Sequence, residues 1–457
     1  MRTLPLLLFC AVGWAGERNV VLYVADDLGR EIGCYGDPAV KTPHLDALAA
    51  QGVRFEHAFA TTASCSASRS VILSGLHNHA TGQYGHAHSF HHFKSFGKLR
   101  TLPARLSGAG YRTARIGKYH VEPQEVYPFE EVLRNPGGDR SSVQMADACR
   151  PFLEAEDERP FFLYICTSDP HRGGGKVPGG ADRFGNRKKG YPGVEEVTYD
   201  PGEVTVPTYL PDTPVSRDEW AQYAQSASRV DQGVGRLLQV LDEAGHTDDT
   251  LVLFTSDHGV AFPGAKTTCY EGGLGVPLIA RAPGAIEAGQ VSDAMVSHVD
   301  LAPTILAWAG VEIGAGEVHG RSWLGALEDP AGWDTVFASH TFHEVTMYYP
   351  MRVIRTRRWK LIWNVAHGLP FPFATDLWAA STWQQALAQG PRTPYGPWTV
   401  EGYVNRPRFE LYDLQEDPWE STNLAGVQGE VLEQMKAGLR GFQKRTNDPW
   451  VSKWKYE

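Results

Sequence analysis

Three kinds of residue in this chain have the chemistry and spacing to act together. Asp26 and Asp27 follow one apolar run and Asp257 follows another, so three carboxylates could offer oxygen ligands to one hard cation such as Ca²⁺ or Mg²⁺. An adjacent Asp pair also serves as a turn or helix cap, and by itself it does not define a metal site. Cys65 opens the segment Cys65-Ser66-Ala67-Ser68-Arg69, with an Arg four residues on. In that setting it is either a thiolate nucleophile of lowered pKa or a packed structural thiol. Lys118 with His120, Asp169 with His171, and His258 also fall just after apolar runs, although a lone Lys there is ordinarily solvated and a lone His ordinarily satisfied.

The runs that must position them are Val20–Ala25, Arg112–Ile116, Phe161–Cys166 and Leu251–Phe254. None alternates with period two, which is the pattern of strands buried on both faces of a parallel sheet. Helical patterns lie between them. Thr42 is expected to cap a helix with Pro43 at its first position and Gly52 past its end, and Trp220–Ala244 reads as a longer amphipathic helix stopped by Gly245. Alternating strands and helices predict an α/β fold, a mostly parallel sheet between helices, with ligands at the carboxyl ends of the strands. All four polar clusters fall at those ends. From about residue 341 the texture changes. Met351–Val365 and Phe409–Tyr412 read as strands and Val431–Phe442 as a helix, which predicts a smaller C-terminal α+β domain with an antiparallel sheet over 341–457. Gly173–Gly180 and Pro201–Pro214 are expected to be long loops over the surface and the site.

Composition narrows the class. The chain has 457 residues, 42% hydrophobic and 21% charged, with a formal net charge of −10. This is globular, long enough for a sizeable core, and not the basic surface of a nucleic-acid binder. Residues 1–16 have a positive start at Arg2, an apolar run from Leu4 to Val12 and small residues near a cleavage point, so they read as a signal peptide, with a catalytic domain over 17–340. That run is too short to span a bilayer, which needs ~20 residues. The expectation is an exported protein, periplasmic or secreted, without stable membrane insertion. Removing Cys10 with the leader leaves Cys34, Cys65, Cys149, Cys166 and Cys269, an odd set, with Cys166 read as a buried thiol inside a strand. His86, His88, His91 and His92 resemble a metal cluster but are read as a loop lining the pocket, and Arg187-Lys188-Lys189 as a solvated face.

Taken together, these segments resemble the sulfatase family within the alkaline-phosphatase-like superfamily. The likeness rests on Cys65, Ala67 and Arg69, the family's Cys-X-Pro/Ala-X-Arg modification motif, and on Leu22–Asp27, Thr42–Asp46, Gly117-Lys118, Ser256–Gly259 and Leu411–Asp413. It implies that Cys65 becomes formylglycine through a formylglycine-generating or sulfatase-maturating enzyme. It further implies that Asp26, Asp27, Asp257 and His258, with residue 65, hold Ca²⁺ or less readily Mg²⁺. Arg69, Lys118 and Lys266 would hold the sulfate, His120 would be the base beside the nucleophile, and a cationic His171 would protonate the leaving group, favouring mildly acidic pH. A narrower likeness, to the family's sulfamidase branch, rests on Gln83–His86, His91–Phe93, Val126–Phe129, Asp169–Arg172, Val230–Gly235, His343–Met347, Tyr349–Arg352 and Pro370–Pro372. It implies an exo-acting pocket for the N-sulfated terminal glucosamine of heparan sulfate or heparin fragments, bound by Asp169, His343, Glu344 and Arg352, with Arg352 equally readable as an interdomain salt bridge. His258 stands where that branch usually has Asn, and Lys266 where it has Arg, which keeps the charge but loses the planar fork. An O-sulfatase, a phosphodiesterase or phosphonate hydrolase of the same fold, and a glycan-binding relative that never matures its Cys remain as alternatives, and assembly as a homodimer is left open.

Overall fold

The computed structural model describes residues 18–173 and 182–457. The expected leader and most of the Gly173–Gly180 loop lie outside the described residues. Eight strands form the large sheet: Asn19–Ala25 (β1), Val53–Phe59 (β2), Arg112–Gly117 (β3), Glu131–Val132 (β4), Phe161–Cys166 (β5), Thr250–Ser256 (β6), Leu278–Arg281 (β7) and Gln290–Ser297 (β8). Their order is β4-β3-β5-β1-β6-β7-β2-β8, and all neighbours run parallel except β7, which is antiparallel to β6 and β2. The carboxyl ends of β1, β2, β3, β5, β6 and β8 therefore share one edge.

β1 shows why its run does not alternate. Val21, Tyr23 and Ala25 pack into a core with Trp220, Tyr223 and Val230 of the helix Pro214–Glu243, while Val20, Leu22 and Val24 pack into a second core with Leu102, Leu106 and Leu306 on the opposite face. Both faces exclude water, so each strand position must be apolar.

Two helices differ in detail from their expected form. Pro43–Ala50 begins with Pro as expected, but Thr42 does not cap it; its hydroxyl accepts the Gly33 N–H and faces Asp46. Gly52 is required because a Cβ there would lie 2.1 Å from the Ala280 carbonyl oxygen. The long helix starts at Pro214, ahead of Trp220, because Thr213 caps it by accepting the Ser216 N–H and Pro214 occupies the first position. The preceding loop does not cover the site. Its residues Thr205–Tyr209 wall a separate cavity of about 780 Å³ with Arg30, Glu31 and Trp419.

The smaller sheet is antiparallel, as expected, in the order Phe409–Asp413, Trp359–Asn364, Met351–Thr356, Thr335–His340. In chain order these are β9 (Thr335–His340), β10 (Met351–Thr356), β11 (Trp359–Asn364) and, after the ribbon Pro394–Tyr395 (β12) and Trp398–Thr399 (β13), β14 (Phe409–Asp413). Because β9 belongs to this sheet, it begins ahead of the expected residue 341. Helix Gly429–Arg445 covers one face through Met435, Leu439 and Phe442, while Val353 and Ile362 on the other face join the core of the large sheet.

Arg352 does not face a ligand. It is buried on β10, donates from Nε to Asp448 Oδ2 at 2.6 Å, and lies over Trp450. Both partners belong to the C-terminal region, so this is an internal brace and neither a sugar contact nor an interdomain bridge. Burial pushes the Asp448 carboxyl up, the Arg352 guanidinium pulls it down harder, and the result lies below the usual carboxylate value. Its stabilising contribution is thus present above the unfolded carboxylate pKa and lost as pH falls through the lower folded value. Arg352→Ala should cost about 3–5 kcal/mol at neutral pH, since an unpaired buried carboxylate remains. Urea unfolding at a series of pH values should show that deficit shrinking toward acid.

Candidate active site

The shared strand edge gathers the polar clusters around Cys65. β1 delivers Asp26 and Asp27, and β6 delivers Asp257 and His258, all four fully buried. Asp257 Oδ1 accepts the backbone N–H groups of Asp27 (3.0 Å) and His258 (2.9 Å), which ties the two strand ends together. After β2 the chain enters the helix Cys65–Ile72, every residue of which is buried. Ser68 anchors its first turn by donating to the Asp257 carbonyl at 2.5 Å. Arg69 then reaches back to both carboxylates, Nε to Asp257 Oδ2 and Nη2 to Asp26 Oδ1, each at 3.1 Å. Cys65 Sγ lies 3.4 Å from His258 Nε2 and 3.9 Å from Asp27 Oδ1.

Two further cations offset part of this negative charge. Lys118, just past β3, donates to Asp26 Oδ2, and Lys266 Nζ lies 2.9 Å from Asp27 Oδ2 and 2.8 Å from Asp376 Oδ2. Burial alone would lower the Lys266 ammonium, but Asp27 and Asp376 hold it well above its ordinary value. Burial raises Asp26, which Lys118 overcomes, so Asp26 stays ionised. Asp257 moves the other way, raised by burial and by the neighbouring Asp26 charge.

Asp27, His120 and Thr267 have φ of 63°, 60° and 65°. Left-handed backbone at non-glycine residues costs of order 1–3 kcal/mol each and persists only where surrounding contacts enforce it. Here it turns the chain directly beside three functional side chains.

Of the two readings of the unmodified Cys65, the packed thiol is the one its burial supports. Burial pushes the thiol well above its ordinary value despite Lys118 and Lys266, so an unmodified Cys65 is a neutral, weak nucleophile. His171, expected to protonate a leaving group, sits in a field that disfavours its cation. Burial, then Lys266 and Lys118, hold it well below its usual value, and its Nε2 sits 3.3 Å from Lys266 Nζ. His120 Nε2 faces His88 Nδ1, whereas the bonded neighbours of Cys65 are His258 and Asp27.

Above these residues opens a cavity of about 510 Å³. Lys118, His120 and His171 line it, and so do His343 and Glu344 from the C-terminal region, as expected. His343 Nδ1 lies 2.9 Å from Ser64 Oγ, and the Glu344 carboxylate accepts the Thr375 N–H and hydroxyl. Asp169 is not on the cavity wall. It is fully buried, with Oδ2 taken by Arg229 Nε at 2.8 Å and Oδ1 by Arg140. Arg140, which does line the cavity, is the group that Asp169 positions. Neither Arg140 nor Asp376 carries a local signal: one lies in a Gly-Gly-Asp-Arg turn, the other in a distant short helix, Thr375–Trp378. His86, His88 and His91 line the cavity, as read from sequence, while His92 is exposed. The five described cysteines are all free thiols and Cys166 is buried in β5.

The donor set fits a divalent cation. Ligand atoms of Asp27, Cys65 and His258, and likewise of Asp26, Cys65 and Asp257, lie within 4.8 Å of one another. Three buried carboxylates meeting at one point repel unless neutralised, and oxygen-rich sets favour hard ions.

A mostly parallel sheet whose carboxyl edge carries a buried Cys at a helix start and an oxygen-rich donor set defines an α/β protein with a candidate metal site. Comparison with known proteins takes this further. The family model described as Sulfatase matches residues 18–311, and the one described as N-sulphoglucosamine sulphohydrolase, C-terminal, matches residues 262–368. N-sulphoglucosamine sulphohydrolase of Homo sapiens is 42% identical, over 98% of this chain and 94% of its own. Two solved structures share the fold. One, in complex with its substrate D-glucosamine-2-N,6-O-disulfate, has a TM-score of 0.68 and 22% identity over 94% of this chain and 98% of its own. The other, the phosphonate monoester hydrolase of Agrobacterium radiobacter, has a TM-score of 0.67 and 20% identity over 94% and 96%. The chain belongs to the sulfatase family, which implies a formylglycine and a divalent metal.

Because a bound ion relieves repulsion among Asp26, Asp27 and Asp257, it should stabilise the fold. At a free ion concentration 100 times Kd, linkage gives about 2.7 kcal/mol. Chelation should lower the melting temperature and ion replacement should restore it; an unchanged melt would show that the three cations suffice.

Proposed function

We propose that this chain hydrolyses the N-sulfate of a terminal glucosamine in heparan sulfate or heparin fragments, with formylglycine at position 65 and Ca²⁺, rather than Mg²⁺, as its ion. The observation that carries the reading is the likeness to the human enzyme along nearly the full length of both chains, including the region of His343 and Glu344 that walls the cavity. A cavity of about 510 Å³ lies in the ordinary range for small-molecule pockets, about 300–1,000 Å³. That volume suits one sugar ring rather than a long chain.

Asp26, Asp27, Asp257 and His258, with residue 65, would hold the ion. The ion supplies charge that polarises a sulfate oxygen, and the formylglycine supplies, as its hydrate, one hydroxyl for attack and a second for release of the sulfate. Arg69 keeps Asp26 and Asp257 fixed beneath that oxygen cluster. Lys118 and Lys266, now bonded to Asp26 and Asp27, turn part of their charge to the sulfate. A sulfate between the two lysines offsets the field that keeps His171 neutral and lets it carry the proton that departing nitrogen requires. His120 takes the proton of the attacking hydroxyl. His343 and Glu344 meet sugar hydroxyls, since each polar group desolvated without a partner costs ~1 to 3 kcal/mol. Asp169 acts through Arg140.

Burial also bears on maturation. Cys65 is fully buried, so a modifying enzyme must reach it before the helix Cys65–Ile72 docks, and the natural partner is a formylglycine-generating or sulfatase-maturating enzyme acting on the unfolded chain. Residues 1–16, read as a leader, support export to the periplasm or beyond the cell. Among the described residues no helix is long and apolar enough to cross a membrane.

Cys65→Ala should fold with an unchanged circular dichroism spectrum and lose all turnover; residual activity free of host enzyme would refute the mechanism. Offered separately, N-sulfoglucosamine should be preferred over glucosamine 6-sulfate and a 2-sulfated uronate. Preference for an O-sulfated sugar would refute the substrate, and preference for an aryl phosphate diester would refute the reaction. His171→Ala should slow N-sulfated sugars more than activated aryl sulfates, whose leaving groups need no proton.

A further inference from the structure

Three imidazoles stand at the rim of the catalytic cavity, apart from the carboxylate centre. His86 and His88 come from the loop that follows the helix Asn78–Thr81, and His120 from the left-handed turn after β3. One ring nitrogen of each lies within 4.8 Å of the others. Ring centroids are 4.4 Å apart for His88 and His120, 4.6 Å for His86 and His88, and 5.0 Å for His86 and His120. His120 Nε2 and His88 Nδ1 are in direct contact, while the Nδ1 atoms of His86 and His120 are buried with no hydrogen-bond partner.

We propose that His86, His88 and His120 form a second metal site, selective for a borderline transition ion such as Zn²⁺ and distinct from the carboxylate centre. Three nitrogen ligands with a fourth position open to the cavity match the preference of zinc, whereas Ca²⁺ and Mg²⁺ require oxygen. The two centres of this chain would thus sort ions by donor type. Tetrahedral coordination at Zn–N of ~2.0–2.1 Å needs nitrogens roughly 3.4 Å apart. The nitrogens, within 4.8 Å of one another, must therefore shift by up to about 1.4 Å, the His88–His120 pair moving apart, within reach of χ rotation at the exposed His88. Lys118 stands beside the cluster and disfavours imidazolium, which leaves the rings as neutral ligands. Glu344, which accepts hydrogen bonds from Thr375, acts the other way on His88, where burial and Lys118 outweigh it.

The site has a consequence for catalysis. His120 cannot serve as a base while its nitrogen binds a metal, and an ion at the rim narrows the entrance, so Zn²⁺ acts as an inhibitor. This consequence rests on the role proposed above for His120; the metal binding does not.

The test uses the matured protein with Ca²⁺ held at saturation. Calorimetric titration with ZnCl₂ should give one Zn²⁺ per chain without release of Ca²⁺, and CoCl₂ should give the visible absorption of a tetrahedral nitrogen-ligated ion. His88→Ala should weaken Zn²⁺ binding by more than the ~10- to 100-fold that loss of an outer-shell partner costs. His92→Ala, at an exposed ring outside the cluster, should leave it unchanged. Aryl sulfate turnover, compared with and without Zn²⁺ within each variant, should become insensitive to zinc in His88→Ala. Equal zinc affinity in His88→Ala, displacement of Ca²⁺ by Zn²⁺, or equal inhibition of both proteins would overturn the proposal. Zinc binding that depends on His88 in a protein found inactive toward sulfates would uphold the metal site and refute only the functional reading.

Discussion

The structure depends on holding three carboxylates and two cations together out of water, with a third cation, Lys118, at the cavity wall. Asp26, Asp27 and Asp257 are fully buried, and so are Arg69 and Lys266. Removing one such ion would leave its partner uncompensated in low dielectric, at a cost of several kcal/mol. The rest of the fold serves that constraint. Parallel neighbours bring β1, β3, β5 and β6 to one edge, and the antiparallel β7 lets β2 end there too, so Cys65 and Arg69 arrive on a buried helix instead of a mobile loop. Hydrogen bonds from the Asp27 and His258 backbones to Asp257 then join the strand ends into one unit.

Within that unit the cations are shared rather than fixed to single partners. Arg69 spans Asp26 and Asp257, and Lys266 spans Asp27 and Asp376. A planar guanidinium suits the permanent bridge between strands, whereas an ammonium on a flexible stem can turn from carboxylate to anion. At Cys65 burial outweighs two nearby lysines and raises the thiol above its ordinary value. Chemistry at this position therefore calls for a group other than a thiolate, which is what the family's modification supplies.

The C-terminal region contributes shape more than charge. β9 and the segment after it carry His343 and Glu344 to the cavity wall, and Thr375 and Asp376 close another side. Asp169 and Arg352, which have the character of ligand contacts, are instead consumed by Arg229 with Arg140 and by Asp448. Both serve to fix neighbours, and in doing so they leave Arg140 to face the cavity.

Strand positions and the polar clusters at strand ends were legible from local pattern, whereas Asp26, Asp27, Cys65, Arg69, Asp257 and His258 were singled out as one set by the family resemblance. A strand buried on both faces must be apolar throughout, and the polar residue that ends it marks the edge where ligands bind. Which side chain reaches the cavity was not legible, because that depends on contacts between residues 60 to 110 positions apart: Lys266 with Asp376, Asp169 with Arg229, Arg352 with Asp448. Protonation was decided the same way. No local pattern carries the burial that raises Cys65, or the burial and the two lysines that lower His171, since desolvation and distant charge exist only once the chain has folded.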